Sequence, residues 1–300
     1  MTDTCKPLAF KPSREFEKFG IIYEPRDAEP PILGAPVRAA VHQWLQELQA
    51  EAELAEVGLE PRRTAMLAGP PGCGKTTLAH HLSARLGVPM VLVNLSSVVG
   101  MYLGQSAAQI DALFSAARSQ PHSMVLFLDE FDAIAMKRSS QGSSAANEKN
   151  AIVISLLQAI DRFPGTLIAA TNRAADIDAA IWRRFGMHLT IDMPDDESRF
   201  AILKRYLLPF DLGEDGLDLL SEFTSGASPA LLRQLMEGIK RDLVLSVRFA
   251  RPPAMKDVFV RTLAAIQPHA DTAMPRLWAH PDKCLKEMAG ISWPPARGAQ

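Results

Sequence analysis

Residues 63–81 read RTAMLAGPPGCGKTTLAHH, and the arrangement inside this stretch decides the fold. Residues 64–68 are a short apolar run suited to a buried strand, and residues 75–86 carry apolar side chains at the 3.6-residue spacing of a helix. Between the two lie Gly69, Pro70, Pro71, Gly72, Cys73 and Gly74, followed by Lys75, Thr76 and Thr77. Glycines at this spacing let consecutive backbone N–H groups turn inward around a polyphosphate, and the helix N-terminus adds its dipole. Lys75 supplies a mobile charge for the β and γ phosphates, and the Thr76 hydroxyl suits Mg²⁺. A strand before and a helix after separate such a loop from a chance glycine-rich turn. The stretch therefore predicts a nucleoside triphosphate site.

Outward from this loop, strand and helix patterns alternate. Residues 90–95, 124–128, 166–170 and 187–191 read as further strands, and 107–119 and 145–160 as helices. Buried β-rich segments separated by long helices imply parallel pairing with crossover helices on both faces, a three-layer α/β/α core. Before the core, residues 37–57 read as one helix, with Pro36 in its first turn and Gly58 at its stop. Residues 1–35 hold Pro7, Pro12, Pro25, Pro30 and Pro31 among aromatic and aliphatic residues, which predicts an arm that docks on something. Near Pro194 the β-branched runs end, and 197–207, 217–223, 229–247 and 255–266 read as helices. The expected organisation is an arm at 1–35, an α/β core at 36–194 and a small all-α domain at 195–266. A Pro-rich tail at 267–300 follows, partly pinned by Trp278 and Trp293.

Composition narrows the function classes. The 300 residues are 47% hydrophobic and 22% charged, enough for about two domains with sizeable cores. A formal net charge of −2 gives no global attraction to nucleic acid or to an anionic membrane. Cys5, Cys73 and Cys284 are few, odd in number and widely spaced, which argues for a reducing compartment rather than a disulfide framework. The N-terminal stretch, charged and broken by Pro7 and Pro12, does not read as a signal peptide, and no apolar run of about 18 residues is present to span a membrane. A cytoplasmic location is expected.

The run Met124-Val125-Leu126-Phe127-Leu128-Asp129-Glu130 ends a buried strand in two carboxylates, at the sheet edge where parallel folds bind ligands. Asp129 suits the Mg²⁺ shell and Glu130 the polarisation of an attacking water. Together with the phosphate loop at 69–76, the segment Asp129-Glu130-Phe131-Asp132-Ala133-Ile134, the run Ala170-Thr171-Asn172-Arg173 and Arg183-Arg184-Phe185 resemble the AAA family of AAA+ ATPases, of the single-module type. The resemblance covers roughly residues 30–265. It implies a P-loop NTPase core followed by a helical lid, with ATP and Mg²⁺ as cofactors. It assigns Asn172 to the sensor that positions the lytic water, and Arg183 and Arg184 to arginine fingers that reach a neighbouring subunit's nucleotide. It further implies a homo-oligomeric ring, expected to be a hexamer, that remodels, unfolds or translocates a protein client.

Other segments carry open alternatives. Met101, Tyr102 and Leu103, within GMYLGQS at 100–106, resemble the family's substrate-gripping pore loop, the alternative being that Tyr102 packs beneath its own loop. SSQGSS at 139–144 is a second axial contact or a surface connection. Ser225-Gly226-Ala227 resembles the segment that faces the adenine and ribose, so Gly226 and Ala227 are candidate nucleotide contacts. The residues after Gly226-Ala227 depart from the family pattern, leaving Arg233 either a substitute second sensor or part of a solvated face with Glu237 and Lys240. Ile32-Leu33-Gly34 lines an adenine pocket or merely leads a helix. Cys73 is an oxidation-sensitive thiol or a small filler, while His80, His81 and His188 lack metal-site spacing. A nucleic-acid loader or a nucleotide-state switch is the alternative function. Its best basic patch, Lys240 and Arg241 to Arg248 and Arg251, is modest.

Overall fold

The computed structural model describes residues 16–96, 106–135, 144–268 and 273–298. The pore-loop candidates Met101, Tyr102 and Leu103, the loop at 139–143 and the first 15 residues of the arm lie outside the described residues. The chain divides into two compact units. The first comprises Met1–Pro31, Ala35–Pro70 and Lys75–Ile191, and the second comprises Ile32–Gly34, Pro71–Gly74 and Asp192–Gln300.

The first unit begins with α1 (Phe16–Phe19), β1 (Ile21–Tyr23), α2 (Ala35–Gln49) and α3 (Glu51–Glu56). It continues as β2 (Thr64–Ala68), α4 (Lys75–Arg85), β3 (Met90–Asn94), α5 (Ser106–Arg118), β4 (Val125–Asp129), α6 (Asp132–Ala135) and α7 (Ser144–Asp161). β5 (Thr166–Thr171), α8 (Ala179–Trp182) and β6 (Met187–Thr190) complete it. The strands form one six-stranded sheet in the order β1-β3-β4-β5-β2-β6, all parallel except β1. β5 is buried along its whole length and β4 all but its last residue, which explains their unbroken apolar sequences. Leu126, Leu128, Leu167 and Ala169 pack with Ile110 and Phe114 of α5 and with Leu156 and Ile160 of α7. The alternate residues Phe127 and Ile168 are also fully buried, and α4 packs against β3, β4 and β5, so both faces are covered.

Of the arm's described residues, those of β1 dock on the chain's own sheet. β1 pairs antiparallel with β3, Ile21 opposite Leu92 and Tyr23 opposite Met90. Gly20 permits this approach, because a Cβ there would stand 2.0 Å from the Leu92 carbonyl oxygen. His80 of α4 is buried, its Nε2 lies 2.8 Å from the Glu24 carbonyl oxygen, and its ring meets Tyr23 edge-on.

The helix expected over 37–57 is broken in two at Ala50, whose φ of −96° and ψ of 33° depart from helical values. No proline or glycine marks the break. Its physical counterpart is a pair of tethers: Glu47 on α2 accepts from Arg62 Nε at 3.0 Å, and Glu51 at the start of α3 pairs with Arg63 at 2.6 Å. Trp44 adds an Nε1–H bond of 2.6 Å to the Arg62 carbonyl.

The second unit contains α9 (Asp196–Leu207), β7 (Phe210–Asp211), α10 (Gly213–Phe223), α11 (Pro229–Arg248) and α12 (Met255–Ala265). α13 (Arg276–Ala279), α14 (Pro281–Glu287) and β8 (Ala296–Arg297) follow. Asp195 and Ser228 cap α9 and α11, accepting from Ser198 N and Leu231 N. Arg199 is 5% exposed and donates to the carbonyls of Ser221 (3.0 Å) and Pro194 (2.8 Å), joining the start of α9 to α10. Leu277, Cys284 and Met288 enter the same core as Phe223, Leu235 and Phe259. The C-terminal residues are thus built into this unit: β8 pairs with β7, and the Trp278 and Trp293 indoles donate to the Ile266 and Pro253 carbonyls.

Candidate active site

The parallel strands bring their carboxyl ends to one edge of the sheet, and the chemistry-bearing residues follow directly from them. β2 leads into the phosphate loop, where Gly72 and Gly74 take left-handed φ values of 77° and 88° that any other L residue would adopt at a cost. Lys75, 8% exposed, opens α4. Its ammonium donates to the carbonyls of Gly69 (2.8 Å) and Pro70 (2.9 Å) and to Asn172 Oδ1 (2.6 Å). The end of β5 is thereby joined to the start of α4. A phosphate oxygen arriving at Lys75 exchanges for neutral acceptors, so the ammonium is already aimed into the loop.

Thr76 Oγ1 stands 3.4 Å from Asp129 Oδ2. That is long for an O–H···O bond and suits two hard oxygen donors that share a small cation. The donor set, one hydroxyl and one carboxylate with room for phosphate and water, fits Mg²⁺. Among the described residues no cluster of three or more His, Cys, Asp or Glu side chains forms a separate metal cage.

Glu130 is exposed and has a φ of 51°, one of two non-glycine residues with positive φ among the described residues. Its N–H donates to Asp129 Oδ1 at 2.9 Å, and the next residue, Phe131, donates its N–H to the Ala170 carbonyl at 2.9 Å. The chain therefore turns sharply at Glu130 and re-enters the core one residue later. Asp132 then accepts from Thr171 Oγ1 at 2.9 Å and from Asn172 N at 3.4 Å. This carboxylate ties the end of β4 to the end of β5 and holds Glu130 and Asn172 at a fixed spacing. Its residue type was visible in the sequence, but its partners, about 40 positions away, were not.

The arginine pair lies elsewhere. Arg184 O accepts from Thr64 Oγ1 at 2.9 Å, and the same hydroxyl accepts from Gly186 N at 2.9 Å. Thr64 is the first residue of β2, whereas the phosphate loop follows its last residue, Ala68. At about 3.3 Å per residue the two points lie roughly 13 Å apart along the strand. Arg183 and Arg184 are both exposed. In the second unit, Gly226 has a φ of 81° and Ala227 is buried. Arg233 pairs with Glu237 at 2.8 Å and lies over the Tyr206 ring. Ile32 packs on that unit's core. Cys73 is buried. His188 stacks on Trp182 at the start of β6.

A family model described as "ATPase family associated with various cellular activities (AAA)" matches residues 65–193, the segment that carries all of these first-unit groups except Thr64. Residues 65–193 are an AAA ATPase domain. An uncharacterized AAA family ATPase, y4kL, from Sinorhizobium fredii is 44% identical over 165 residues, 54% of this chain and 48% of that protein. The proteasome-activating nucleotidase of Pyrococcus abyssi is 35% identical over 205 residues, 64% of this chain and 52% of that protein. The ATPase family gene 2 protein of Saccharomyces cerevisiae is 35% identical over 188 residues, 61% of this chain and 24% of that protein. The chain spans about half the length of the first two. Nucleotide binding and ATP hydrolysis are the chemistry of this AAA domain. No helix among its described residues is long and apolar enough to cross a membrane.

Proposed function

We propose that this AAA ATPase assembles into a homo-oligomeric ring, with six subunits as the expected number, and spends ATP on remodelling, unfolding or translocating a protein client. Lys75 and the loop N–H groups of residues 69–77 hold the β and γ phosphates. Thr76 and Asp129 hold Mg²⁺, which when bound neutralises charge on the phosphate oxygens. Glu130 accepts a hydrogen bond from the attacking water and aims it, while Asn172 fixes that water from the adjacent strand. Gly226 and Ala227 serve the adenine and ribose side, and residues 101–103 grip the client. Relatives named proteasome-activating nucleotidases support a protein client over a nucleic-acid one.

One observation carries the ring. Arg184 is anchored at the amino end of β2, the opposite edge of the sheet from the phosphate loop. On this reading the arginine that supplements Lys75 at the transferring phosphate comes from another copy, and an added arginine is worth roughly 10³ to 10⁵ in rate. The test is turnover per subunit against protein concentration, together with mixing. Turnover should fall on dilution, and mixing Lys75→Ala with Arg183→Ala/Arg184→Ala subunits should restore part of the activity that each lacks. Full turnover per subunit at every dilution would end this reading.

A further inference from the structure

Resting on the shared-site reading above, we infer that the two neighbouring arginines divide the work: Arg183 meets the neighbour's phosphates, and Arg184 is a strut held by Asp161, a positioning residue at the end of α7. Arg184 Nε donates to Asp161 Oδ1 at 3.2 Å and to Oδ2 at 3.4 Å, and its Nη2 reaches Oδ2 at 3.4 Å. Its Nη1 donates to the Ala180 carbonyl at 3.0 Å. With its own carbonyl bound by Thr64, this residue is fastened by both side chain and backbone. Both ends of its guanidinium are engaged, and an adjacent carboxylate cancels the charge that a phosphate would seek.

Arg183 differs in each respect. It is exposed, and among the described residues its guanidinium has no hydrogen-bond or ion-pair partner. Its backbone closes α8, with its N–H on the Ala179 carbonyl, and α8 itself is capped by Asp178, whose carboxylate accepts from Ala180 N at 2.8 Å. Phe185, one residue past the strut, is buried and meets Phe131 edge-on at 5.5 Å. Phe131 follows Glu130. The Asp161–Arg184 pair thus fixes a rigid short segment that offers one uncompensated guanidinium to solvent and connects through Phe185 to the water-aiming loop.

The decisive experiment is an exchange of the pair. Arg183→Ala should bind ATP normally and lose turnover by about 10³-fold. Arg184→Ala should lose about tenfold, and Asp161→Arg/Arg184→Asp, which restores the ion pair in reverse, should recover most of that loss. If position 184 itself contacts phosphate, the exchanged protein stays as inactive as Arg184→Ala, and the inference is overturned. Should the exchanged protein fail to fold, lysine variants decide. Arg184→Lys should keep most turnover and Arg183→Lys little, and the reverse order would overturn the division. Wild-type turnover in both alanine variants would instead remove the shared-site reading itself, so the two failures are distinguishable.

Discussion

At the residue scale, the acid expected to aim the water pays a conformational penalty. A left-handed φ on a β-unbranched, non-glycine residue costs about 1 kcal/mol, and Glu130 adopts one at 51°. The neighbouring bonds enforce it, since Asp129 takes the Glu130 N–H and Phe131 is pulled back toward Ala170. Glu130→Gly should therefore raise the free energy of unfolding in urea by about 1 kcal/mol while abolishing ATP hydrolysis. A destabilised glycine variant would show that the turn is relaxed with glutamate in place. Asp132 makes the complementary case. Asp132→Ala removes the one oxygen, Oδ1, that accepts from both Thr171 Oγ1 and Asn172 N. It should lower kcat about tenfold with the KM for ATP little changed, because Asn172 loses its placement rather than its chemistry. A rise in KM alone would assign Asp132 to nucleotide binding instead.

At the element scale, legibility followed how far each signal reaches along the chain. Strands β2 to β5 were readable because a strand buried on both faces is a continuous apolar run beside helices of a different period, whereas β6, an edge strand with His188 and Thr190 exposed, gives a weaker signal. β1 was not readable as a strand: Ile21, Ile22 and Tyr23 lie in a proline-rich arm, and only the edge of β3 makes them one. The break at Ala50 was equally silent, since Ala is a good helix former and the tethers that accompany the break run to Arg62 and Arg63, more than ten residues later. Those tethers carry a pH signature. The Arg62 guanidinium, by hydrogen bonding first and charge second, holds the Glu47 carboxyl below its usual value of 4.5. A depressed carboxylate contributes stability that is fully present above its unfolded value and is lost as pH falls through its folded one. Glu47→Gln should thus cost about 1 kcal/mol at neutral pH, discounted for the half-exposed arginine, and the gap from wild type should close on acidification below about 4. A gap that is unchanged by acid would remove the ion pair as its source.

At the scale of the whole molecule, the change from β-branched runs to helical spacing near Pro194 reflects where the sheet ends, and the longest segment of the second unit starts at Asp192. What composition could not convey was the place of the C-terminal residues. Prolines at 275, 281, 294 and 295 with scattered apolar residues read as a tail, because the period of a packed helix is not sampled by α13 and α14, which have 4 and 7 residues. In the folded unit Leu277, Cys284 and Met288 are fully buried, Arg276 covers the Phe223 ring at 5.0 Å, and Trp293 leans on Phe259 at 5.8 Å. Each fully buried large apolar side chain contributes about 1.5 to 3 kcal/mol. Several of them together rival the roughly 5 to 15 kcal/mol that holds a domain folded. Deleting residues 273–298 should therefore unfold the helical unit rather than merely trim it. The expected record is a loss of helical circular dichroism larger than α13 and α14 can supply, with new protease cleavage inside α10 to α12. A truncated chain that kept the remaining helix content and a cooperative transition would show that α9 to α12 close their own core and that the C-terminal elements only lie upon it.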